Sequence, residues 1–335
     1  MRQLQIVAPG ELALAEVAEP ECGAADVIVE VAACGICGSD FGYLASGGLP
    51  GSAGGMALGH EFAGHIVARG SAVDQWAVGQ AVVVNPLSAA NMIGNGGSEG
   101  AFAPRVSVRM AQQPGTLFAI PVGLGVERAA LAEPLAVAFH ALEQVGAHAG
   151  VRAVVLGGGP IGLACVIALR QLGAADVVVV ERVAARAALA RQLGADLVLD
   201  NLDETGWQQL VERHGAVPFY GQQLPASEVF VDCAGAAILL EKVIAHAAPH
   251  SRLVIVAVHG SPVALDLAMV MAKELQVSGA LGYGDCFPQA LACLAELGER
   301  IKPYVSHCLP LSRFGEAFAL AADPAQAAKV LLVPD

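Results

Sequence analysis

The sequence predicts an α/β protein of two domains, one a doubly wound parallel sheet and the other irregular and β-rich. Three observations predict it. The chain has 335 residues, more than one compact core usually organises. Beyond about residue 150, short apolar runs alternate with helical stretches, as crossover units of a parallel sheet do. Between the first such run and the first such helix stands Gly-x-Gly-x-x-Gly.

In the first third, Val27-Ile28-Val29-Glu30-Val31 and Val82-Val83-Val84 read as strands separated by glycine-rich turns. Near Leu131 the texture becomes Ala-rich and helical (LAEPLAVAFHALEQVG). Ala153-Val154-Val155-Leu156 is then a buried strand, followed by GGGPIG and the helix GLACVIALRQLG. The stretch Ala153 to Leu169 carries no charge, yet it is shorter than the roughly 20 residues of a membrane span. Asp176–Val180 is the next strand, followed by the helix ERVAARAALARQLGA. Leu197–Leu199, Val229–Val231 and Leu253–Val256 extend the sheet. HGAVPFYGQQLPAS (214–227), aperiodic and holding two prolines, reads as a surface loop. A helix (PQALACLAELG) and the strand KVLLV close the chain.

Apolar residues make up 55% and charged residues 15%, which excludes a disordered chain. The formal charge of −13 speaks against nucleic-acid or anionic-membrane binding, which need a basic footprint. The eight cysteines are scattered without a framework spacing, and the N-terminus has no signal-peptide pattern. Both features lead us to expect reduced thiols and a cytoplasmic protein.

Gly157, Gly159 and Gly162 sit where a dinucleotide turn would. The first makes the tight turn, the second lets backbone approach a pyrophosphate, and the third lets helix and strand pack closely. Pro160 and Ile161 complete GGGPIG and open the helix, whose N-terminal amides would face the phosphates. Glu181 ends the second strand, 19 residues after Gly162. A carboxylate there accepts from ribose hydroxyls and repels a 2′-phosphate, favouring NAD over NADP; the adjacent Arg182 argues the other way.

Residues 33 to 43 read ACGICGSDFGY, with Cys34 and Cys37 three apart. The spacing alone admits a redox dithiol, a pair of metal ligands, or one working cysteine beside a bystander. GHE at 59–61 supplies His60 and Glu61, and LAEPL supplies Glu133. Cysteine, imidazole and carboxylate together suit a zinc ion with an open coordination position. His65, His140, His148, His214, His246, His250, His259 and His307 lack ligand-like company in the sequence and are expected as surface or satisfied core.

CGICGSD (34–40), LGHEFAG (58–64), LAEPLAVAFHAL (131–142), GGGPIG (157–162), R-x3-A-x2-LGA (186–195) and KVLLV (329–333) follow one another in an order that resembles the zinc-dependent medium-chain dehydrogenase/reductase family, in its alcohol, polyol and threonine dehydrogenase branch. The resemblance implies a GroES-like catalytic domain over residues 1–142 and 278–335, and a Rossmann nucleotide domain over 143–277, with ligands in the cleft between them. It implies that Cys37 and His60 hold zinc, with Glu61 or Glu133 approaching the metal and Asp40 orienting the histidine. Ser39 would relay the alcohol proton, and Arg186 would lie near the adenosine ribose. The implied reaction passes a hydride between NAD and a secondary alcohol or polyol, the zinc acidifying the alcohol. A homodimer or homotetramer is implied as well.

Two departures stand out. Gly42 occupies the place where relatives often carry a relay histidine. No cysteine lies between Cys37 and Cys165, so NPLSAANMIGNGGSEGAFA cannot hold the four-thiolate structural zinc of many relatives. The expectation is one catalytic zinc per chain and no structural zinc. The same residues also admit an NADP-linked carbonyl reductase, or a catalytically idle nucleotide-binding protein.

Overall fold

A computed structural model describes residues 1–50 and 55–335. The chain divides into two units, residues 1–133 with 287–335, and residues 134–286. These divides lie nine residues before and nine residues after the expected 142/143 and 277/278. Most of the helix Ala132–Gln144 therefore belongs to the second unit, as does the segment up to Cys286.

The first unit is built on a seven-stranded sheet around Val27–Gly35, flanked by Glu61–Arg69 on one side and Lys329–Val333 on the other. Both neighbours run antiparallel to it, pairing Gly35 with Glu61 and with Leu331. Val27–Gly35 is buried along almost its whole length, which explains its unbroken apolar character. Two irregularities in its pairing with Glu61–Arg69 bend and twist the ladder, as bulges do. The core beneath includes Leu4, Phe62, Phe102 and Val330, all at most 1% exposed. Phe318 joins it, its ring centroid 5.5 Å from that of Phe41 and 6.0 Å from that of Phe102.

The second unit holds six parallel strands, in the spatial order Leu197–Leu199, Asp176–Val180, Arg152–Leu156, Val229–Asp232, Arg252–Ile255, Gln276–Gly279. The order reverses between Arg152–Leu156 and Val229–Asp232, and in such sheets ligands bind outside the carboxyl ends of the strands at that reversal. The uncharged run 153–169 is the buried strand Arg152–Leu156, its turn, and the helix Pro160–Gln171, of which Gly162 to Leu169 are all buried. No helix among the described residues is long and apolar enough to cross a membrane.

The expected loop 214–227 is instead a β-hairpin, Ala216–Phe219 against Gln222–Pro225. Its two-residue turn has φ of 44° at Tyr220 and 81° at Gly221, the left-handed pair that matches strand twist. Prolines are tolerated because a two-stranded ribbon has only edges, where a missing N–H can face outward.

Candidate metal centre and nucleotide site

Three neighbouring strand ends converge on one spot in the first unit. Cys37 follows the central strand Val27–Gly35, His60 and Glu61 open its antiparallel neighbour, and Lys329 opens the strand on the other side. Cys37 is the N-cap of the helix Gly38–Ser46, fixed by a reciprocal pair of bonds with Asp40. The Cys37 amide donates to Asp40 Oδ2 at 2.9 Å, and the Cys37 sulfur accepts from the Asp40 amide.

Asp40 is wholly buried and His60 is 3% exposed. Asp40 Oδ1 lies 3.7 Å from His60 Nδ1, and neither atom has a hydrogen-bond partner within the protein. Burial pushes Asp40 up to about 6, against the pull of His60. Burial alone would lower the imidazole, yet Cys37 above all, then Asp40 and Glu133, hold His60 well above its ordinary value. A field that retains a proton in so buried a place is one that accepts a cation. One donor atom each from Cys37, His60 and Glu61 lies within 4.8 Å of the others, so the set fits a zinc ion. Asp40 stands where a carboxylate steadies the other nitrogen of a ligating histidine.

Glu61 is 1% exposed and its carboxylate is already paired: both oxygens accept from Lys329 Nζ, at 2.7 and 2.6 Å. The third Lys329 bond goes to the Ile36 carbonyl at 3.0 Å. Gly35 makes the room, since a Cβ there would stand 2.1 Å from Glu61 Oε2. Glu133, 3% exposed, reaches His60 electrostatically from the start of the helix Ala132–Gln144. Lys329 escaped notice in the sequence because it pairs with a residue 268 positions away.

Cys34 is a bystander. It is 1% exposed within the apolar core, and burial first, then Asp40 and Glu61, push its thiol well above the ordinary range. Ser39, partly exposed, neighbours the Tyr43 side chain one turn on, and the Tyr43 hydroxyl donates to Asn95 Oδ1 at 3.3 Å. Tyr43 is therefore a polar neighbour of the site.

Nothing lies within 4 Å of a Cβ placed on Gly42, which sits inside the helix Gly38–Ser46. Gly42→Ala should therefore stabilise the protein by ~0.5–1 kcal/mol, through lost freedom of the unfolded chain, as a denaturant titration would show.

The cysteine-free lobe is stitched by polar side chains. Glu99 Oε2 accepts from Asn91 at 3.0 Å and from Ser98 at 2.6 Å, and Glu99 Oε1 pairs with Arg109 at 3.1 Å. Asn91 also donates to the Ser107 carbonyl at 2.7 Å.

In the second unit the glycine turn has the geometry its spacing implies. Gly157 has φ of 97°, and a Cβ on it would lie 3.1 Å from Ala234, across the reversal of strand order. Gly159 is the N-cap of the helix Pro160–Gln171, with Pro160 in its first turn. A Cβ on Gly162 would fall 1.9 Å from the Gly157 carbonyl oxygen. Glu181, 8% exposed, already accepts from the Gly158 amide at 2.8 Å and the Val183 amide at 2.7 Å. Carboxylate lone pairs remain for a ribose. Arg186 reaches the turn too, Nη1 lying 3.7 Å from where a Gly159 Cβ would stand, while Arg182 is exposed. Asp232, wholly buried, accepts from the Ala234 and Gly235 amides at 3.1 Å and pairs with His259 at 2.7 Å. His214 is likewise satisfied, by Ser227 at 2.7 Å and Asp176 at 3.1 Å. His140 is not: Glu143 and Cys286 stand beside it, the company the sequence did not reveal.

Residues 23–121 match the alcohol dehydrogenase GroES-like domain, and residues 160–296 match the zinc-binding dehydrogenase domain. The chain is 30% identical to human sorbitol dehydrogenase over 336 aligned positions, covering 94% of this chain and 91% of the relative. The crystal structure of 2R,3R-butanediol dehydrogenase from Bacillus subtilis superposes with a TM-score of 0.87 at 28% identity, covering 100% of this chain and 99% of that one. A putative zinc-binding dehydrogenase from Sinorhizobium meliloti, solved bound to NADP, gives 0.83 at 29% identity over 99% of each chain. With its GroES-like and Rossmann parts both matched, the chain belongs to the zinc-dependent medium-chain dehydrogenase family, oxidoreductases of alcohols and polyols that use zinc and a nicotinamide cofactor.

Proposed function

We propose that the protein interconverts a secondary alcohol or polyol and its ketone, with NAD(H) as the hydride partner and one catalytic zinc per chain. The observation that carries this is the buried Cys37–His60–Glu61 donor set backed by Asp40. Zinc, when bound, supplies Lewis acidity that makes an alcohol easier to deprotonate. Cys37 and His60 would hold it with Glu61, whose charge Lys329 balances, and Glu133 is the second carboxylate within reach. Asp40, 3.7 Å from the imidazole Nδ1, is the carboxylate placed to orient the ring once the histidine ligates. Ser39 takes the hydroxyl proton and passes it on; with glycine at position 42, the neighbouring Tyr43 hydroxyl and water continue the path. A lobe without cysteines leaves no place for a four-thiolate zinc.

For the cofactor, Gly157, Gly159, Pro160, Ile161 and Gly162 cradle the pyrophosphate, with Glu181 and Arg186 at the adenosine end. A buried carboxylate backed by two amides favours a free 2′-hydroxyl, which supports NAD over the NADP bound by the Sinorhizobium meliloti relative. We place the protein in the cytoplasm as a homodimer or homotetramer. Exposed Leu267, Met271 and Leu281, near the sheet-edge strand Gln276–Gly279, support self-association.

A panel of secondary alcohols and polyols, followed by absorbance of the reduced cofactor with NAD and NADP in parallel, tests the proposal. Turnover with NAD that a zinc chelator removes is expected. Equal or faster turnover with NADP would overturn the reading of Glu181, and turnover that survives zinc removal would overturn that of Cys37 and His60.

A further inference from the structure

We infer that His140, Glu143 and Cys286 form a second metal site, which takes a divalent transition ion such as zinc and lies wholly within the nucleotide-binding unit. His140 and Glu143 are three apart on the helix Ala132–Gln144, so their side chains share one face. Cys286 comes from the other end of the unit's sequence. It sits in a turn closed by its amide bonding the Tyr283 carbonyl at 3.1 Å, just before the helix Phe287–Leu297.

That turn is pressed onto the imidazole. Gly284 has φ of 49°, and a Cβ on it would stand 2.6 Å from His140 Nδ1. One donor atom from each of the three residues lies within 4.8 Å of the other two. His140 Nδ1 is shielded from solvent and has no hydrogen-bond partner; the nearest carboxylate oxygen, Glu143 Oε2, is 4.0 Å away. Ligands held about 2.0–2.3 Å from a zinc ion stand roughly 3–4 Å apart, so a small rotation of Glu143, whose side chain is 59% exposed, closes the set. Nitrogen, oxygen and sulfur together suit zinc or cobalt and disfavour calcium and magnesium, which prefer all-oxygen shells.

The two elements so joined are the helix by which the chain enters this unit and the residue on which it leaves. An ion there would staple the unit's two ends. The proposal concerns different residues from the Cys37 centre and stands independently of the catalytic reading. It raises the ions expected per chain from one to two.

The test is a cobalt(II) titration of metal-free protein carrying Cys37→Ala and His60→Ala, which lacks the first centre. One cobalt per chain should still bind and give a thiolate-to-cobalt charge-transfer band. Adding Cys286→Ser should remove the band and the bound ion, with circular dichroism unchanged. Glu143→Ala, at an exposed position, is the second variant; it should weaken cobalt binding and leave the fold intact. If the double variant binds no cobalt, or Cys286→Ser leaves band and stoichiometry as they were, the cluster is a metal-free packing contact and the proposal falls.

Discussion

Replacing Lys329 with methionine should cost the metal-free protein about 3–5 kcal/mol, because it leaves the Glu61 carboxylate buried without its counter-charge. Both side chains are 1% exposed, and the lysine spends all three N–H donors on Glu61 and the Ile36 carbonyl. Burial would depress the lysine, but Glu61 holds it well above its ordinary value. A raised lysine contributes stability that is fully present below its unfolded value near 10.4 and lost only as pH climbs toward the folded one. The parent's lysine thus stays charged from pH 6 to 9, and the deficit of Lys329→Met should shrink toward low pH, where the unpaired Glu61 carboxyl takes up a proton, as denaturant titrations at several pH values would show. Lys329→Met combined with Glu61→Gln should recover most of it, since both charges are then gone. Zinc should stabilise Lys329→Met more than it stabilises the parent, because the freed carboxylate gains a new cation. Equal zinc-induced shifts in both proteins would mean that Glu61 does not face the metal.

Gly162→Ala should weaken nucleotide binding by roughly a hundredfold and destabilise the protein by ~1–3 kcal/mol. The new methyl would stand 1.9 Å from the Gly157 carbonyl oxygen, a backbone atom that cannot swing aside, so strand and helix must part. Gly159→Ala separates the two effects. Its nearest neighbour is the tip of Arg186 at 3.7 Å, so the fold has room, and the methyl occupies only the space through which a pyrophosphate approaches. It should lose nucleotide affinity with its unfolding midpoint unchanged. Calorimetric titration with NAD beside a denaturant curve measures both quantities for both variants.

Five of the six parallel strands were legible because each is a short apolar run, and GGGPIG marks where the winding begins; the edge strand Gln276–Gly279, polar at Gln276 and Ser278, was not read. The donor set of the proposed metal centre was legible as chemistry, since Cys37, His60 and the acids sit in short motifs. What escaped was pairing over distance. Lys329 lies in KVLLV, where a lysine reads as an exposed strand end, and only folding carries it to Glu61. His140 and Glu143 share a helix face that spacing could have revealed, but Cys286 is 143 positions beyond Glu143 and nothing local announces it. The hairpin 216–225 was hidden by Pro218 and Pro225, which argue against strands in wide sheets and not in a two-stranded ribbon.

The double engagement of Glu181 bears on how cofactor preference can evolve or be redesigned. Its carboxylate ties the Gly158 amide to the Val183 amide before any nucleotide arrives. Trading it for a small neutral residue to admit a 2′-phosphate would also strip an acceptor from the glycine turn and leave a shielded N–H unanswered. Selectivity and rigidity are thus inherited as one trait at this position. On the proposed NAD reading, a switch to NADP that keeps the turn firm needs a second change, one that brings a new acceptor to Gly158.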